Sequence, residues 1–393
     1  RVGEFWYRGT ADSVYQNLNL IRDMRTDTVA IFGGDHIYKC AIDQMEMAHR
    51  RRQADLTVAA FPVPQSEAHQ FGVIDVDDTG RVLGFLEKPE NPPSIPGRPG
   101  WTLVSMGNYF FRADLLTDVL LRESENPKSK MDFGGDIVPL LVKQGAKVYI
   151  YDFGDNRVPG EPENGEHYWR DVGTLDSYFQ ANMDLRSRLP ALNVYNRSWR
   201  IRTAQRDYPP ARFVRSDATA EGVDIQDSLV CEGSIVSSAA LNEVLLGYDC
   251  FIHPRCEIED SVILSGCDIG AESKLRRVLL DKNCKIDPGV EIGLNPEQDR
   301  KRFPVITENG VIVLPKGTHV PKEGPIQLAH DIDELLRKDP QTKDAMAEFA
   351  GRYSVSDEGR HSHISSGPRY HRYSHGPGSD SYIDGDGYEY QDE

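Results

Sequence analysis

Residues 229–245 read LVCEGSIVSSAALNEVL, residues 246–262 LGYDCFIHPRCEIEDSV, residues 263–279 ILSGCDIGAESKLRRVL and residues 280–293 LDKNCKIDPGVEIG. Stacked in this way they put Leu229, Leu246, Ile263 and Leu280 in one column, and Ile235, Ile252, Ile269 and Ile286 in a second. Leu241, Ile258, Leu275 and Ile292 form a third. Three aliphatic columns that share a 17-residue period, with internal steps close to six, fit neither a helix nor an ordinary sheet. They fit a hexapeptide β-helix, in which each coil has three short sides and each side points one aliphatic residue inward. Cys250, Cys267 and Cys284 obey the same period, which predicts a stacked column of small residues filling a corner, with no metal or redox role. The open ends and flat outer faces of such a coil favour assembly, so an oligomer is expected.

Upstream of Pro209 and Pro210 the texture differs. Val14, Leu18 and Ile21 follow helical spacing, and the apolar run 28–32 then stops at Gly33, Gly34 and Asp35. This reads as helix, buried strand and loop. Strand-like runs at 56–63, 81–86, 108–111 and 147–151 alternate with helix-like stretches such as 113–122. The alternation predicts an α/β domain with a mainly parallel sheet covered by helices on both faces. Ligands of such sheets sit at the carboxyl ends of strands, where Asp35 falls. Downstream, 327–353 includes helix-like stretches, and from Ser354 almost no aliphatic residue remains to offset the entropy of ordering. The expected plan is an α/β domain over 1–205, a linker over 206–226, the β-helix over 227–325, a helical segment over 326–353 and a disordered tail over 354–393.

Composition narrows the function classes. With 393 residues, 39% of them hydrophobic, the chain can bury two cores, and a small disulfide-stapled module is excluded. A net charge of −17 disfavours nucleic acid but leaves small anionic substrates open, because a pocket needs only a few cations. Six cysteines without a CxxC pair predict reduced thiols. No run reaches the roughly 18 apolar residues of a membrane span, and the first residues do not resemble a signal peptide, so a cytoplasmic protein is expected. The dense start at Trp6 and Tyr7, with Arg rather than Met as the first residue, leads us to expect further sequence upstream.

Six motifs then occur in order: WYRGTAD at 6–12, GDHIYK at 34–39, FGV at 71–73, FLEKPENPP at 85–93, SMG at 105–107 and YWRDVGT at 168–174. Together with WRIRT at 199–203 and the repeats, they resemble the ADP-glucose pyrophosphorylases over roughly residues 1–320. Arg200 stands where that family usually has Pro. The resemblance implies a Rossmann-like α/β nucleotidyltransferase domain followed by a left-handed β-helix, usually assembled as a homotetramer. The domain would here be missing its first strand and the Gly-rich basic loop that holds the triphosphate, so catalysis by this chain alone is not assumed. The implied reaction is attack of a glucose 1-phosphate oxygen on the α-phosphorus of ATP, giving ADP-glucose and pyrophosphate.

Bringing two anions together calls for a divalent metal and cations on the non-reacting oxygens. Mg2+ suits hard carboxylate oxygens, and the resemblance makes Asp35 and Asp171 the metal pair, against the plainer reading of each as a turn or cap aspartate. Lys88, otherwise a surface lysine, is implied to grip the phosphate of glucose 1-phosphate. Glu87 and Ser105 would hydrogen-bond glucose hydroxyls, Gly72 would let the backbone approach the sugar, and Tyr7 would border the same pocket. Gly9 and Thr10 are placed near the nucleotide. Arg276, Arg277 and Lys282 match a region that binds anionic effectors, with solvated charges as the alternative. Two rival functions remain at this point. One is a noncatalytic regulatory subunit on the same fold, and the other is a hexapeptide-repeat acyltransferase, for which His253 is the sole candidate base between 229 and 293.

Overall fold

The computed structural model describes residues 6–87, 89–162, 167–215 and 222–329. Lys88, the tail and all but residues 326–329 of the expected helical segment lie outside them.

The N-terminal half is an α/β layer structure. Strands β1 (Thr28–Ile31), β3 (Leu56–Pro64), β4 (Gly72–Val76), β5 (Val82–Glu87), β6 (Trp101–Arg112) and β7 (Val148–Asp152) share one sheet, and β2 (His36–Tyr38) pairs separately with β8 (Trp169–Asp171). The sheet is not mainly parallel, as alternation alone suggests. β1, β3 and β7 run in one direction, but β6 lies antiparallel between β1 and β3, and β4 and β5 form an antiparallel pair beside it. The single 12-residue β6, with nearly every residue from Thr102 onward buried or half-buried, is long enough to serve three neighbours. Leu56, Val58 and Ala60 of β3 face a core shared with α1 (Thr10–Tyr15), α2 (Leu18–Met24), α4 (Ala113–Ser124) and α5 (Val138–Lys143). Ala59 faces the opposite core with Met45 and Ala48 of α3 (Ile42–Arg51). The two-residue period of the strand thus places helices on both faces.

The C-terminal half is the β-helix. One side stacks Arg212–Val214, Ile235–Ser237, Phe251–Ile252, Asp268–Ile269, Lys285–Ile286 and His319–Val320 in parallel. Leu241, Ile258, Leu275 and Ile292 pair in succession on another side, as their spacing predicts. The first coil is one residue shorter, so Val236 rather than Ile235 heads the second column and Val230 rather than Leu229 pairs with Leu246. The segment expected as a linker is also structured, because Arg212–Val214 and Asp224–Gln226 pair into the coils. Corners are turned by residues with positive φ that recur at the same period, such as Arg255 and Glu272, and Asp260 and Arg277. Cys250, Cys267 and Cys284 are buried free thiols whose Sγ atoms donate to backbone carbonyls, at 3.3 Å to Leu264, 3.2 Å to Asp281 and 3.3 Å to Pro315.

Ile269 is fully buried between Ile252 and Ile286. Truncation to Ala removes three carbons from a column whose backbone ladder resists collapse, so Ile269→Ala should cost about 3 kcal/mol in denaturant-induced unfolding of this half. A loss below about 1 kcal/mol would mean that the coils repack freely.

Between the halves stands α6 (Leu175–Asp184), which starts with a reciprocal cap in which Thr174 and Ser177 exchange side-chain and backbone hydrogen bonds. Its Phe179 and Met183 pack on Val262, Leu279 and Val311 of the coil. Asp176 accepts from Thr307 Oγ1 at 2.5 Å, and Arg186 pairs with Glu243 at 3.2 Å.

Candidate active site

The site grows from the end of β1. The chain leaves that strand through Gly33, whose N–H donates to Oδ1 of the buried Asn108 at 3.2 Å, and turns at Gly34 and Asp35 into β2. Antiparallel pairing of β2 with β8 sets His36 opposite Asp171, and Val172 N–H donates to the Asp35 carbonyl at 3.1 Å. Two aspartates separated by 136 positions therefore become neighbours through three residues of register. Asp35 keeps its side chain 64% exposed, and Asp171 Oδ1 accepts from Gly173 N–H at 2.9 Å. Donor atoms of Asp35, His36 and Asp171 lie within 4.8 Å of one another, the one such group of three among the described residues that could hold a metal ion.

What holds β8 in place is a polar clamp. Asp184, at the end of α6, accepts from Tyr168 Oη at 2.8 Å and from Arg170 Nη2 at 2.7 Å, while Arg170 Nε donates to Tyr168 Oη at 3.1 Å. Burial, reinforced by the Asp184 carboxylate, pushes the Tyr168 phenol up to about 12, so it stays a donor throughout the neutral range. The helix that packs on the β-helix thus also anchors the strand carrying Asp171.

A cavity of about 500 Å³ opens in front of these residues. Thr10, Asp35, Gly72, Ser105 and Asp171, all singled out by sequence, line it together. Thr10 Oγ1 donates to Asp132 Oδ2 at 2.9 Å and accepts from Phe133 N–H at 3.0 Å, tying α1 to the loop at 132–134. Glu87 is paired with Gly72 along the backbone, which brings the β5 end and the position before Lys88 to the cavity rim. Tyr7 and Gly9 do not line the cavity. Gly9 serves packing, since a Cβ there would stand 2.5 Å from the carbonyl oxygens of Lys130 and Met131. Sequence reasoning missed Asp132, His36 and Trp169, which also line the cavity. The turn signal in Asp132-Phe-Gly-Gly could have pointed to the first, because Asp132 Oδ1 accepts from Gly135 N–H at 2.7 Å.

In the β-helix, Arg277 is engaged. Its Nη1 pairs with Asp260 at 2.6 Å, its Nε donates to the Asn309 carbonyl at 2.8 Å, and its guanidinium lies 5.8 Å from the Phe179 ring. Arg276 stays largely exposed, 3.6 Å from Glu259, and Lys282 is exposed. His253 pairs with Asp268 at 2.9 Å and packs edge-on against Phe251, on the outside of the coil.

Comparison with known proteins matches the same division. Residues 3–188 fit the model of the nucleotidyl transferase family, and residues 209–314 fit that of the GlmU-like C-terminal hexapeptide. Glucose-1-phosphate adenylyltransferase 1 of Vibrio parahaemolyticus is 47% identical over 320 residues, which covers 81% of this chain and 78% of that protein. Glucose-1-phosphate adenylyltransferase of Deinococcus radiodurans is 44% identical over 316 residues, covering 80% of this chain and 76% of that protein.

Proposed function

The chain belongs to the glucose-1-phosphate adenylyltransferases, and on that premise we propose that its cavity joins ATP to glucose 1-phosphate on a divalent cation held by Asp35 and Asp171. The activity of the family is adenylyl transfer. A phosphate oxygen of glucose 1-phosphate forms a bond to the α-phosphorus of ATP, the bond from that phosphorus to the bridging β-phosphate oxygen breaks, and ADP-glucose and pyrophosphate leave. The observation that carries the site assignment is the β2–β8 register, which brings the two carboxylates to one cavity.

The residues fit Mg2+. Two carboxylates supply hard oxygens, and the exposure of Asp35 leaves room for the waters that Mg2+ keeps. When bound, the ion neutralises phosphate charge and polarises the oxygens around the α-phosphorus. The protein does the positioning. Lys88, next to a residue paired with Gly72, grips the phosphate of the sugar. Ser105 and Glu87 orient the glucose hydroxyls, and Gly72 lets the backbone close on the ring. Thr10 fixes the wall at Asp132, on the side assigned to the nucleotide. Lys88→Gln should raise KM for glucose 1-phosphate by about 10-fold to 100-fold and KM for ATP far less, as measured by pyrophosphate release. Equal changes in both would remove Lys88 from this role.

Further parts of the reading concern regulation and setting. Anionic effectors bind at the β-helix through Arg276 and Lys282, with Arg277 reserved for the contact with Phe179. Exposed Phe251, on the outer face of the coil, supplies apolar surface for a homotetramer. The product feeds glycogen or starch synthesis, with the enzyme in the cytoplasm. Among the described residues no helix is long and apolar enough to cross a membrane.

A further inference from the structure

We propose that His36 is a third protein ligand of the divalent cation, through Nε2, and that it tilts the site toward Mn2+ and Co2+. This rests on the reading that Asp35 and Asp171 bind a cation.

Three observations lead to it. His36 Nε2 stands 3.6 Å from Asp35 Oδ1, beyond hydrogen-bond length. That separation suits two donors on one ion: with bonds of about 2.1 Å, neighbouring ligands lie about 3 Å apart and opposite ligands about 4.2 Å apart. The donor atoms of Asp35, His36 and Asp171 all fall within 4.8 Å of one another, the same scale. Second, Nδ1 is buried and has no hydrogen-bond partner among the described residues. Among the described residues neither ring nitrogen makes a hydrogen bond of ordinary length, so Nε2 can offer its lone pair to an ion while Nδ1 carries the ring proton. Third, the ring is immobilised. A Cβ at Gly33 would come within 2.8 Å of it and a Cβ at Gly107 within 3.0 Å, and Gly107 has φ +69°. Trp169 closes the remaining side, edge-on at 5.7 Å. Glycines on two sides of a ring that is 13% exposed give it one place to stand, with Nε2 toward Asp35.

An imidazole nitrogen among carboxylates changes the choice of metal. An all-oxygen set suits Mg2+, whereas a nitrogen ligand raises the affinity for transition ions relative to Mg2+, less for Mn2+ than for Co2+. The chain should thus bind Mn2+ and Co2+ more tightly than Mg2+, and His36→Gln should lower Mn2+ affinity by about 10-fold to 100-fold while moving Mg2+ affinity little.

Mn2+ itself is the probe. It is titrated into the unmutated chain and into Asp35→Asn, and the bound ion is read by electron spin echo spectroscopy in chains made with natural-abundance and with 15N-labelled histidine. The expected result is Mn2+ binding that depends on Asp35, with a nitrogen coupling that switches isotope with the histidine label and vanishes in His36→Gln. Asp35-dependent binding without a histidine coupling overturns the His36 assignment and leaves the carboxylate pair standing. Absence of binding, or binding unaffected by Asp35→Asn, overturns both. Because the isotope switch is read in the unmutated chain, poor folding of His36→Gln does not remove the test.

Discussion

Asp35→Asn should lower kcat/KM for ADP-glucose synthesis by about 1,000-fold, equivalent to roughly 4 kcal/mol of transition-state stabilisation. The substitution keeps size and shape, and the backbone bond from Val172 to the Asp35 carbonyl is untouched. What disappears is one of two negative charges facing a cation between two anionic substrates. Because the Asp35 side chain is 64% exposed and stands 3.6 Å from His36 Nε2, beyond hydrogen-bond length, its folded-state role is small, and the melting temperature should hardly move. Pyrophosphate release by the full-length enzyme at saturating Mg2+, alongside a thermal melt, separates the two effects. A loss below about 10-fold with an unchanged melt would show that Asp35 holds no cation needed for turnover.

The second large effect concerns a corner of the β-helix. Gly293 has φ +80°, and a Cβ there would fall 1.8 Å from the Arg276 carbonyl oxygen, a separation that no pair of non-bonded atoms can hold. Gly293→Ala must therefore displace the strand Lys274–Arg276 or open the corner, at a cost of roughly 3–5 kcal/mol. Gly310 provides the control. It has the same φ of +80° but open space where its Cβ would stand, so Gly310→Ala should cost only about 1 kcal/mol of backbone strain. Equal destabilisation of the two variants would mean that conformation, not the close approach, governs the position. Since Arg277 follows the displaced residue and reaches Phe179, Gly293→Ala should also loosen the contact between the β-helix and α6.

Sequence carried these features unequally. The three aliphatic columns were legible because every coil must point one aliphatic residue inward on each side, and that requirement recurs without interruption from Leu241 to Ile292. The start of the β-helix was not, because the first coil is one residue short and Arg212–Val214 contributes a strand whose middle residue, Phe213, is half exposed. Antiparallel insertion of β6 escaped notice because a strand buried on both faces reads the same in either direction. Within the site, Asp35 was placed by its position at a strand end, and Asp171 only by the motif around it. His36, Asp132 and Trp169 gave no comparable signal, since their meaning lies in contacts made by the β2–β8 register and the loop at 132–134. Arg277 shows what a cationic cluster in sequence hides: its guanidinium is already engaged by Asp260 and the Asn309 carbonyl.

Anomalous diffraction from crystals of this chain soaked in Mn2+ tests the central claim most directly. The account predicts one strong peak between β2 and β8, within about 2.2 Å of a carboxylate oxygen from each of Asp35 and Asp171. A well-occupied peak elsewhere in the α/β domain, with those two carboxylates turned apart, would contradict it.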